Sequence, residues 1–568
     1  MYAEIIPQIK TPRSISVFDY KIPDNLDIKS GDLVEVEFRK TKIIGLVYRT
    51  KKTSNIKYLK SINKKINDVQ FNDVQVQLVD WLAKYYFISP TLAFKTIFPD
   101  IPKKTRENIK DKSLYSQKIS INKKDIPKIS ETLNKIYQDF QDSQDKNKKP
   151  KIFHYSDINK KTAIISGLLS KIKGQVIIVV PEIKDIFIYI NNLPINLKNQ
   201  TGYIYSGLSK NQIFNQYKNF QNNKTKILIG TKKAIFFISK NTKTLIIDDE
   251  ENKSHKNYDQ NPRYHVSDIA IKINKINPDI KLLFTSEAPS ITNYHKFPKI
   301  ELLEKNTNIQ IIDMDQEKDG GNYSYFSNEL LYRLENCKKA FLLFNRKGEF
   351  KQFICKNCDN IMPLEENQAS CNKCGSHDLK KSIFGIKRLK TDLEKIFQAP
   401  NSPRPLRQRS MAGGLGVIKK IIEITKDNEM PKNIDQADII IGTDFALSYI
   451  NKKDIDLFGV ISIDHELAVP NFMTPERVFQ KLVKIINLNK KTIIQTHSPN
   501  HPVINSAKNL DFNSFYTQEL DDRKKMNYPP FGDLIKIINK KSKQEEYIKN
   551  KQDLDKFKNN DNIIIDRM

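Results

Sequence analysis

The feature that most constrains the fold of this chain is an apolar segment that ends in consecutive acidic residues. Leu245-Ile246-Ile247 predicts a buried strand, and the acidic stretch 248–251 follows it directly. Nucleotide hydrolases present an acid to a magnesium ion from the end of such a strand. The strand then serves a phosphate-binding loop of the form G-x-x-x-x-G-K-[ST] and belongs to a layered α/β sheet.

The upstream candidate for that loop lacks its glycines. The stretch 155–162 keeps Lys161 and Thr162 at its end, but Tyr155 and Lys160 occupy the two glycine positions. A loop without glycine does not readily adopt the positive-φ turns that direct backbone N–H groups at phosphates. The sequence therefore predicts a nucleotide site that has lost the glycines with which such a loop binds phosphates.

The remnants of this site have a functional and a structural interpretation. We assign Lys161 and Thr162 as vestigial cofactor-binding residues. Asp249 and Glu250 are assigned as vestigial catalytic residues. The structural alternative, which we favour, makes Asp249 and Glu250 a solvated strand end, kept for the fold or as a weak magnesium site. In the same way, Lys161 and Thr162 can simply begin a helix, so binding of ATP and magnesium stays open.

The cysteines predict a structural metal site. Four of the five are arranged as Cys355-x2-Cys358-x12-Cys371-x2-Cys374. Two such pairs at this separation match a tetrahedral zinc site with four thiolates. Since no secretion signal is visible, disulfides are the weaker explanation. We predict one structural zinc ion on these four residues, with Cys337 as a bystander.

The charge balance points to a polyanionic partner. The net charge is +29, from 95 basic and 66 acidic residues. An excess of this size favours nucleic acid, because every phosphate contact releases counterions. Only 14 of the basic residues are arginine. The abundance of Lys, Asn and Ile is also what an AT-rich genome imposes, so codon bias stays open as an explanation.

Hydropathy excludes a membrane protein of the helical type. No uninterrupted apolar run approaches the roughly 20 residues that a bilayer span needs. The N-terminus lacks a basic region followed by an apolar stretch. We therefore expect a soluble cytoplasmic protein without a membrane partner.

The chain predicts several domains. Residues 1–100 contain short strand-like runs with a helix and indicate a small β-rich domain. The stretch Gln138–Pro150 is interpreted as a linker, because it is polar and rich in lysine. From residue 151 onward, buried strands alternate with helices in two successive blocks, which indicates two parallel sheets covered by helices. The cysteine pairs interrupt the second block, and the last 40 residues predict a fragmentary fold at best.

Several short motifs occur in the order found in one known family. The chain resembles the PriA family of replication-restart helicases (primosomal protein N′) along about residues 1–535. The motifs that carry the resemblance are Phe18-Asp19-Tyr20, Gly31–Phe38, Trp81, Tyr85-Tyr86, Val180–Ile183, Tyr205–Ser209, Asp249–Asn252, Pro262–His265, Phe344–Gly348, Pro470–Phe472 and Tyr528–Phe531.

The resemblance implies an α/β multidomain architecture with two RecA-like helicase lobes and a zinc-ribbon insertion in the second lobe. The implied divisions are a DNA-binding domain for the 3′ end (1–100), a shortened winged-helix or linker region (101–150), lobe 1 (151–300), lobe 2 (301–354 and 376–510), the zinc module (355–375) and a truncated C-terminal domain (511–568). It also implies that Asp19 senses the 3′ end of a DNA strand, whereas a turn carboxylate is the structural alternative.

The chain departs from the family at several functional positions. Ser286-Glu287-Ala288 lacks the threonine of the family's Ser-Ala-Thr motif, and the stretch 444–449 lacks a Lys-Gly pair. Leu488 and Lys491 replace two arginines, including the arginine finger. An arginine finger contributes roughly a thousandfold or more to the rate. The family also carries eight cysteines in this module.

The resemblance and the departures together predict a degenerate replication-restart protein. We expect it to bind forks and single-strand/duplex junctions and to help load the replicative helicase through primosome proteins, as a monomer, without unwinding DNA. One alternative is a weak but active DNA-dependent ATPase and 3′–5′ helicase. Another is a generic zinc-ribbon DNA-binding scaffold.

Overall fold

The structure is a computed structural model that describes the chain except for residues 10, 14–16, 102–118, 120, 142–148, 305–307, 346–349, 358–360, 364–369, 372, 399–417, 427–432, 449, 451–453, 489, 558–559 and 561. Two compact units are present, Met1–Glu304 with Glu519–Met568, and Lys305–Gln518. Cys358 and the motif positions 346–348 lie outside the described residues. Among the described helices, none combines the length and the apolar character that crossing a bilayer requires.

The N-terminal residues of the first unit form an antiparallel sheet in the order β2-β1-β4-β3-β5. Its strands and the two helices that follow are β1 (Tyr2–Pro7), β2 (Phe18–Lys21), β3 (Asp32–Phe38), β4 (Thr41–Lys51), β5 (Ile62–Gln70), α1 (Asp73–Tyr85) and α2 (Pro90–Ile97). Asn72 and Gln75 cap the start of α1 reciprocally. Leu78 and Leu82 of α1 are fully buried in one apolar cluster with Phe236. The predicted small β-rich domain is confirmed.

A parallel sheet follows, in the order β12-β6-β11-β10-β7-β9-β8. Its strands are β6 (Lys151–Tyr155), β7 (Gln175–Val179), β8 (Thr201–Ile204), β9 (Ile227–Gly230), β10 (Thr242–Ile247), β11 (Lys281–Ser286) and β12 (Lys299–Leu302). The helices are α3 (Ile126–Gln141), α4 (Ile158–Lys171), α5 (Ile183–Asn192), α6 (Ile195–Lys198), α7 (Lys210–Gln221), α8 (Val266–Ile276) and α9 (Ile291–Lys296). Because parallel strands end at one edge, β6, β10 and β11 bring their terminal side chains together.

Helix α3 corrects the linker interpretation. The helix runs to Gln141, so the first four residues of the supposed linker are helical. Leu133, Tyr137 and Phe140 pack against the buried cluster that includes Leu168 of α4. Their spacing of four and three residues forms one apolar face. The linker interpretation relied on composition, and the many polar residues on the opposite face of the helix outweighed this apolar spacing.

The second unit contains another parallel sheet, in the order β13-β21-β20-β14-β19-β18, and a small antiparallel sheet, in the order β16-β15-β17. The strands are β13 (Ile309–Asp313), β14 (Ala340–Leu343), β15 (Phe350–Cys355), β16 (Ile361–Pro363), β17 (Leu379–Phe384), β18 (Ile421–Ile424), β19 (Ile439–Gly442), β20 (Leu457–Val460) and β21 (Lys491–Thr496). The helices are α10 (Met314–Asp319), α11 (Asn328–Asn336), α12 (Ile386–Gln398), α13 (Asp464–Leu467), α14 (Thr474–Ile486) and α15 (Pro502–Asn509), and α16 (Phe512–Lys525) runs across the boundary at residue 518. The predicted pair of parallel α/β blocks, with the cysteine module inserted in the second, is confirmed.

The C-terminal residues form a further antiparallel sheet, in the order β23-β22-β24. Its strands are β22 (Ile535–Asn539), β23 (Glu545–Ile548) and β24 (Ile563–Arg567). Ile535, Ile537 and Ile565 are buried together on one face of this sheet. The Lys256 ammonium lies 2.7 Å from Asp566 Oδ1, which holds β24 against the parallel sheet's loops. The fragmentary fold expected here is wrong, because alternating isoleucines outweigh the polar composition.

Candidate functional site

The connection between β6 and α4 has no room for a wide phosphate-binding loop. Only Ser156 and Asp157 separate the strand from the helix. The Asp157 carboxylate accepts hydrogen bonds from the backbone N–H groups of Asn159 and Lys160, at 2.7 and 3.3 Å. The backbone N–H groups of a helix N-terminus are the natural ligands of a phosphate. Here a carboxylate of the chain itself takes that position.

Lys161 lies in the first turns of α4 and points into the protein. Its ammonium is 2.9 and 2.8 Å from the two carboxylate oxygens of Asp248. The same ammonium lies 5.2 and 5.4 Å from the ring centres of Tyr155 and Tyr189. Burial by itself would lower the pKa of Lys161, but the charges of Asp248 and Asp249 raise it well above its ordinary value. Lys161 is therefore a buried ammonium that stays charged.

Asp248 is the centre of this buried network. Its side chain is 1% exposed, and its Oδ1 accepts hydrogen bonds from the Tyr189 hydroxyl at 2.8 Å and the Thr285 hydroxyl at 2.7 Å. The Tyr155 hydroxyl donates to Asp249. A buried carboxylate needs such donors, because charge in a low-dielectric interior is costly without partners. The network thus occupies the carboxyl edge of β6, β10 and β11 with the protein's own groups.

Glu250 turns away from Lys161 toward α9. Its carboxylate accepts hydrogen bonds from the Ser290 backbone N–H at 2.6 Å, the Ser290 hydroxyl at 3.0 Å and the Asn293 amide at 2.6 Å. Glu250 is 1% exposed. Burial, with the neighbouring charge of Glu251, raises the pKa of Glu250 to about 8. The interpretation of Asp249 and Glu250 as a solvated strand end is wrong for Glu250, because the turn after β10 directs this side chain to the buried start of α9.

Thr162 is buried, and its hydroxyl donates back to the Ile158 carbonyl at 2.8 Å. Lys160 pairs with Asp125 at 3.1 Å and also with Glu304. The alternative that Lys161 and Thr162 belong to the start of a helix agrees with their places in α4. The residues present do not fit a bound triphosphate well, because Asp157 already accepts from the backbone N–H groups of the helix start and Lys161 is paired with Asp248.

The cysteine module brings three thiols together. The sulfur atoms of Cys355, Cys371 and Cys374 lie within 4.8 Å of one another. Cys355 and Cys371 are buried, and the Cys355 and Cys374 sulfurs are 3.5 Å apart. Gly375 has φ +71°, a left-handed conformation that closes a turn in which its N–H donates to the Cys371 carbonyl at 2.9 Å. Three thiolates at this separation can hold a metal ion.

Asp19 lies on β2 at the edge of the N-terminal sheet. It is in register with Glu4 of β1, so the interpretation as a turn carboxylate is wrong. Its side chain is 11% exposed, and Lys51 Nζ lies 2.7 Å from Oδ2. Burial would raise the pKa of Asp19, but hydrogen bonds from Lys51 and Ser54 hold it below its ordinary value. Asp19 is therefore an ionised acceptor beside a lysine.

Comparisons with known proteins cover most of the chain. A family model described as the 3′ DNA-binding domain (3′BD) matches residues 8–99. The replication restart protein PriA of Borreliella burgdorferi is 27% identical over 84% of this chain and 76% of that protein. The protein of the same name from Rickettsia prowazekii is 27% identical over 92% of this chain and 84% of that protein. The chain is thus similar to replication restart proteins named PriA along most of its length, and its residues 8–99 match their 3′ DNA-binding domain.

A solved DEAD box protein from Methanococcus jannaschii is also similar, with 14% identity and a TM-score of 0.31 over 70% of this chain and 90% of that protein.

The structure brings some of the predicted site residues together. The Lys161 ammonium lies 3.8 Å from Asp249 Oδ1. The Glu250 side chain instead contacts Ser290 and Asn293. The sequence did not identify Asp248, Tyr189 and Asp157 as site residues. Only Asp157 carried a signal, since an aspartate before a helix start is a typical N-cap.

Proposed function

We propose that this protein is a replication-restart protein that binds branched or forked DNA and helps to reload the replicative helicase, without unwinding DNA itself. The observation that carries the DNA-binding part is the match of residues 8–99 to the 3′ DNA-binding domain. Asp19 supports a role at a DNA 3′ end, because an ionised acceptor suits a terminal hydroxyl and Lys51 beside it suits a phosphate. The proposed setting is a cytoplasmic monomer that works with primosome proteins.

The absence of unwinding is proposed on the state of the nucleotide site. Asp157 caps the helix where a phosphate would bind, and Lys161 is engaged by Asp248. A second candidate, a weak DNA-dependent ATPase, is favoured by one observation. Lys161 and Asp249 remain neighbours, at 3.8 Å, as a working site would need. Measurement of ATP hydrolysis separates the two candidates.

We propose that the cysteine module holds one structural zinc ion, with Cys358 as the fourth ligand. Protein purified without added zinc should then contain about one zinc per chain, because four thiolates leave no open coordination position. Cys371→Ser should unfold the module, since metal-binding energy in such sites is folding energy. Elemental analysis measures the zinc content, and limited proteolysis around residue 371 measures the unfolding of the module.

Cys337→Ser is the matched control, because the half-buried Cys337 lies in another part of the unit, where its thiol donates to the Leu334 carbonyl at 3.6 Å. It should keep the full zinc content. Two zinc ions per chain, or a folded module without metal, contradicts the proposal.

DNA binding should weaken steeply with salt and should favour a fork with a free 3′ end. Six or more phosphate contacts lower affinity about a thousandfold between 50 and 200 mM salt. Asp19→Ala should reduce the preference for the fork over blunt duplex more than it reduces total affinity. Asp24→Ala, an exposed carboxylate in the same domain, is the matched control. Fluorescence anisotropy on both substrates measures these quantities.

Equal affinity of the unaltered protein for fork and blunt duplex would remove the support for a replication-restart role. It would favour the third candidate, a zinc-ribbon scaffold that binds DNA through lysine charge.

A further inference from the structure

The connection between β4 and β5 forms a basic loop with an aromatic residue at its tip. This connection, residues 52–61, reads Lys-Thr-Ser-Asn-Ile-Lys-Tyr-Leu-Lys-Ser and contains no acidic residue. Tyr58 is 93% exposed, the most exposed of the large hydrophobic side chains in the part of the chain that the structure describes. Lys52 and Lys57 are exposed as well. We name residues 52–61 the Tyr58 loop.

The Tyr58 loop is anchored at both ends, so its tip has a defined place. The Ser54 hydroxyl donates to Asp19. At the other end, the Lys60 carbonyl accepts from the Lys21 backbone N–H at 2.9 Å, and the Lys60 ammonium donates to Glu37 at 2.7 Å. The anchors tie the loop to the strand that carries Asp19. Tyr58 therefore lies between two fixed points, one of which, Ser54, is bonded to that carboxylate.

The surroundings of the loop suit an unpaired nucleotide. Phe18 and Phe38 pack edge to face with ring centres 5.1 Å apart, and the Arg39 guanidinium lies 5.7 Å from the Phe38 ring centre. Because Phe18 and Asp19 are neighbours on β2, these rings lie on the opposite face of the sheet from the Asp19 carboxylate, and Tyr58 is the exposed ring of the loop that Ser54 joins to Asp19. An exposed ring among lysines is the arrangement by which proteins bind single strands, since bases stack on the ring and lysines bind the flanking phosphates.

We propose that Tyr58 stacks on a base of an unpaired DNA nucleotide close to the 3′ end, while Lys52 and Lys57 bind the flanking phosphates. The inference rests on the proposed DNA-binding function and adds the residues that hold the single strand. Every base offers a π-face, so this contact contributes affinity for a single-stranded end without sequence preference. A protein partner on the same loop is the competing occupant.

The test is the affinity of the full-length protein for a fork with a single-stranded 3′ arm, at constant salt. Tyr58→Ala should weaken binding about five- to a hundredfold, the loss typical of one stacked base. Tyr58→Phe should restore affinity, because a ring without the hydroxyl still stacks. Tyr323→Ala removes another tyrosine, which is 80% exposed in the second unit, and should change nothing.

Salt dependence separates stacking from charge. Tyr58→Ala should leave the slope of log Kd against log salt unchanged, whereas Lys57→Ala should reduce its magnitude by about one. On blunt duplex, Tyr58→Ala should have no effect. If the unaltered protein prefers the fork and Tyr58→Ala binds it equally well, the inference is overturned and the proposed function stands.

If the unaltered protein does not prefer the fork over blunt duplex, that result counts against the proposed function and not against the stacking contact. The affinity of Tyr58→Ala is then measured on a single-stranded oligonucleotide. Loss of affinity there supports the stacking contact, and unchanged affinity overturns it. A loss that Tyr58→Phe does not restore, or that is equal on blunt duplex, also overturns it. Because Tyr58 is so exposed, none of these variants should alter folding, which circular dichroism checks.

Discussion

Purified protein should hydrolyse ATP at least about a thousandfold more slowly than a working helicase, with or without forked DNA. Asp157 caps the helix start that a phosphate would use, and Tyr155 and Lys160 leave this connection without glycine. By the resemblance, Leu488 and Lys491 replace two arginines that would stabilise transition-state charge. The glutamate that would polarise a water, Glu250, is buried against Ser290. Without an aligned γ-phosphate, no attack geometry exists. Release of phosphate in a coupled assay measures the rate.

Two variants test whether the low rate of ATP hydrolysis results from several missing groups and not from one. Glu250→Gln should leave both the low rate and DNA binding unchanged. Tyr155→Gly should restore little, because groups that act as a unit are strongly non-additive. ATP should also fail to raise the thermal stability, whereas a ligand at a hundred times its Kd adds about 2.7 kcal/mol. DNA-stimulated turnover of about one per second or more, abolished by Glu250→Gln, would establish the enzyme alternative.

Lys161→Met should destabilise the parallel sheet of the first unit by about 3–5 kcal/mol, the cost of leaving one partner of a buried ion pair unpaired. Asp248 would keep the hydroxyls of Tyr189 and Thr285 but would lose its cation. Hydrogen exchange of the backbone amides in β10 reports this free energy, since these amides open only when the sheet unfolds.

The double variant Lys161→Met/Asp248→Leu should recover much of the loss, because no buried charge is left without a partner. Lys224→Met, at an exposed lysine of the same unit, should change the free energy of unfolding by no more than about 0.5 kcal/mol. If Lys161→Met leaves exchange unchanged but abolishes ATP binding, Lys161 is a nucleotide ligand and not a structural cation.

The sequence predicted those features of the fold that depend on local pattern. The continuous apolar runs at Val176 and Leu245 predicted buried parallel strands. Both strands, β7 and β10, lie in the parallel sheet of the first unit. The cysteine spacing predicted a cluster, which the sulfurs of Cys355, Cys371 and Cys374 form. The polar composition misled at α3 and at the C-terminal sheet, because a helix or strand needs only one apolar face to pack.

The sequence by itself determined that the phosphate loop lacks its glycines and that acidic residues end a buried strand. Only the tertiary structure decided that Asp157 caps the N-terminus of α4, that Tyr189 from α5 meets Asp248, and that Glu250 is buried against Ser290. The physical reason is that hydrophobic periodicity is a local property of the chain. The partner of a buried charge depends instead on which strands are neighbours, and the order β6-β11-β10-β7 brings together residues that are far apart in sequence.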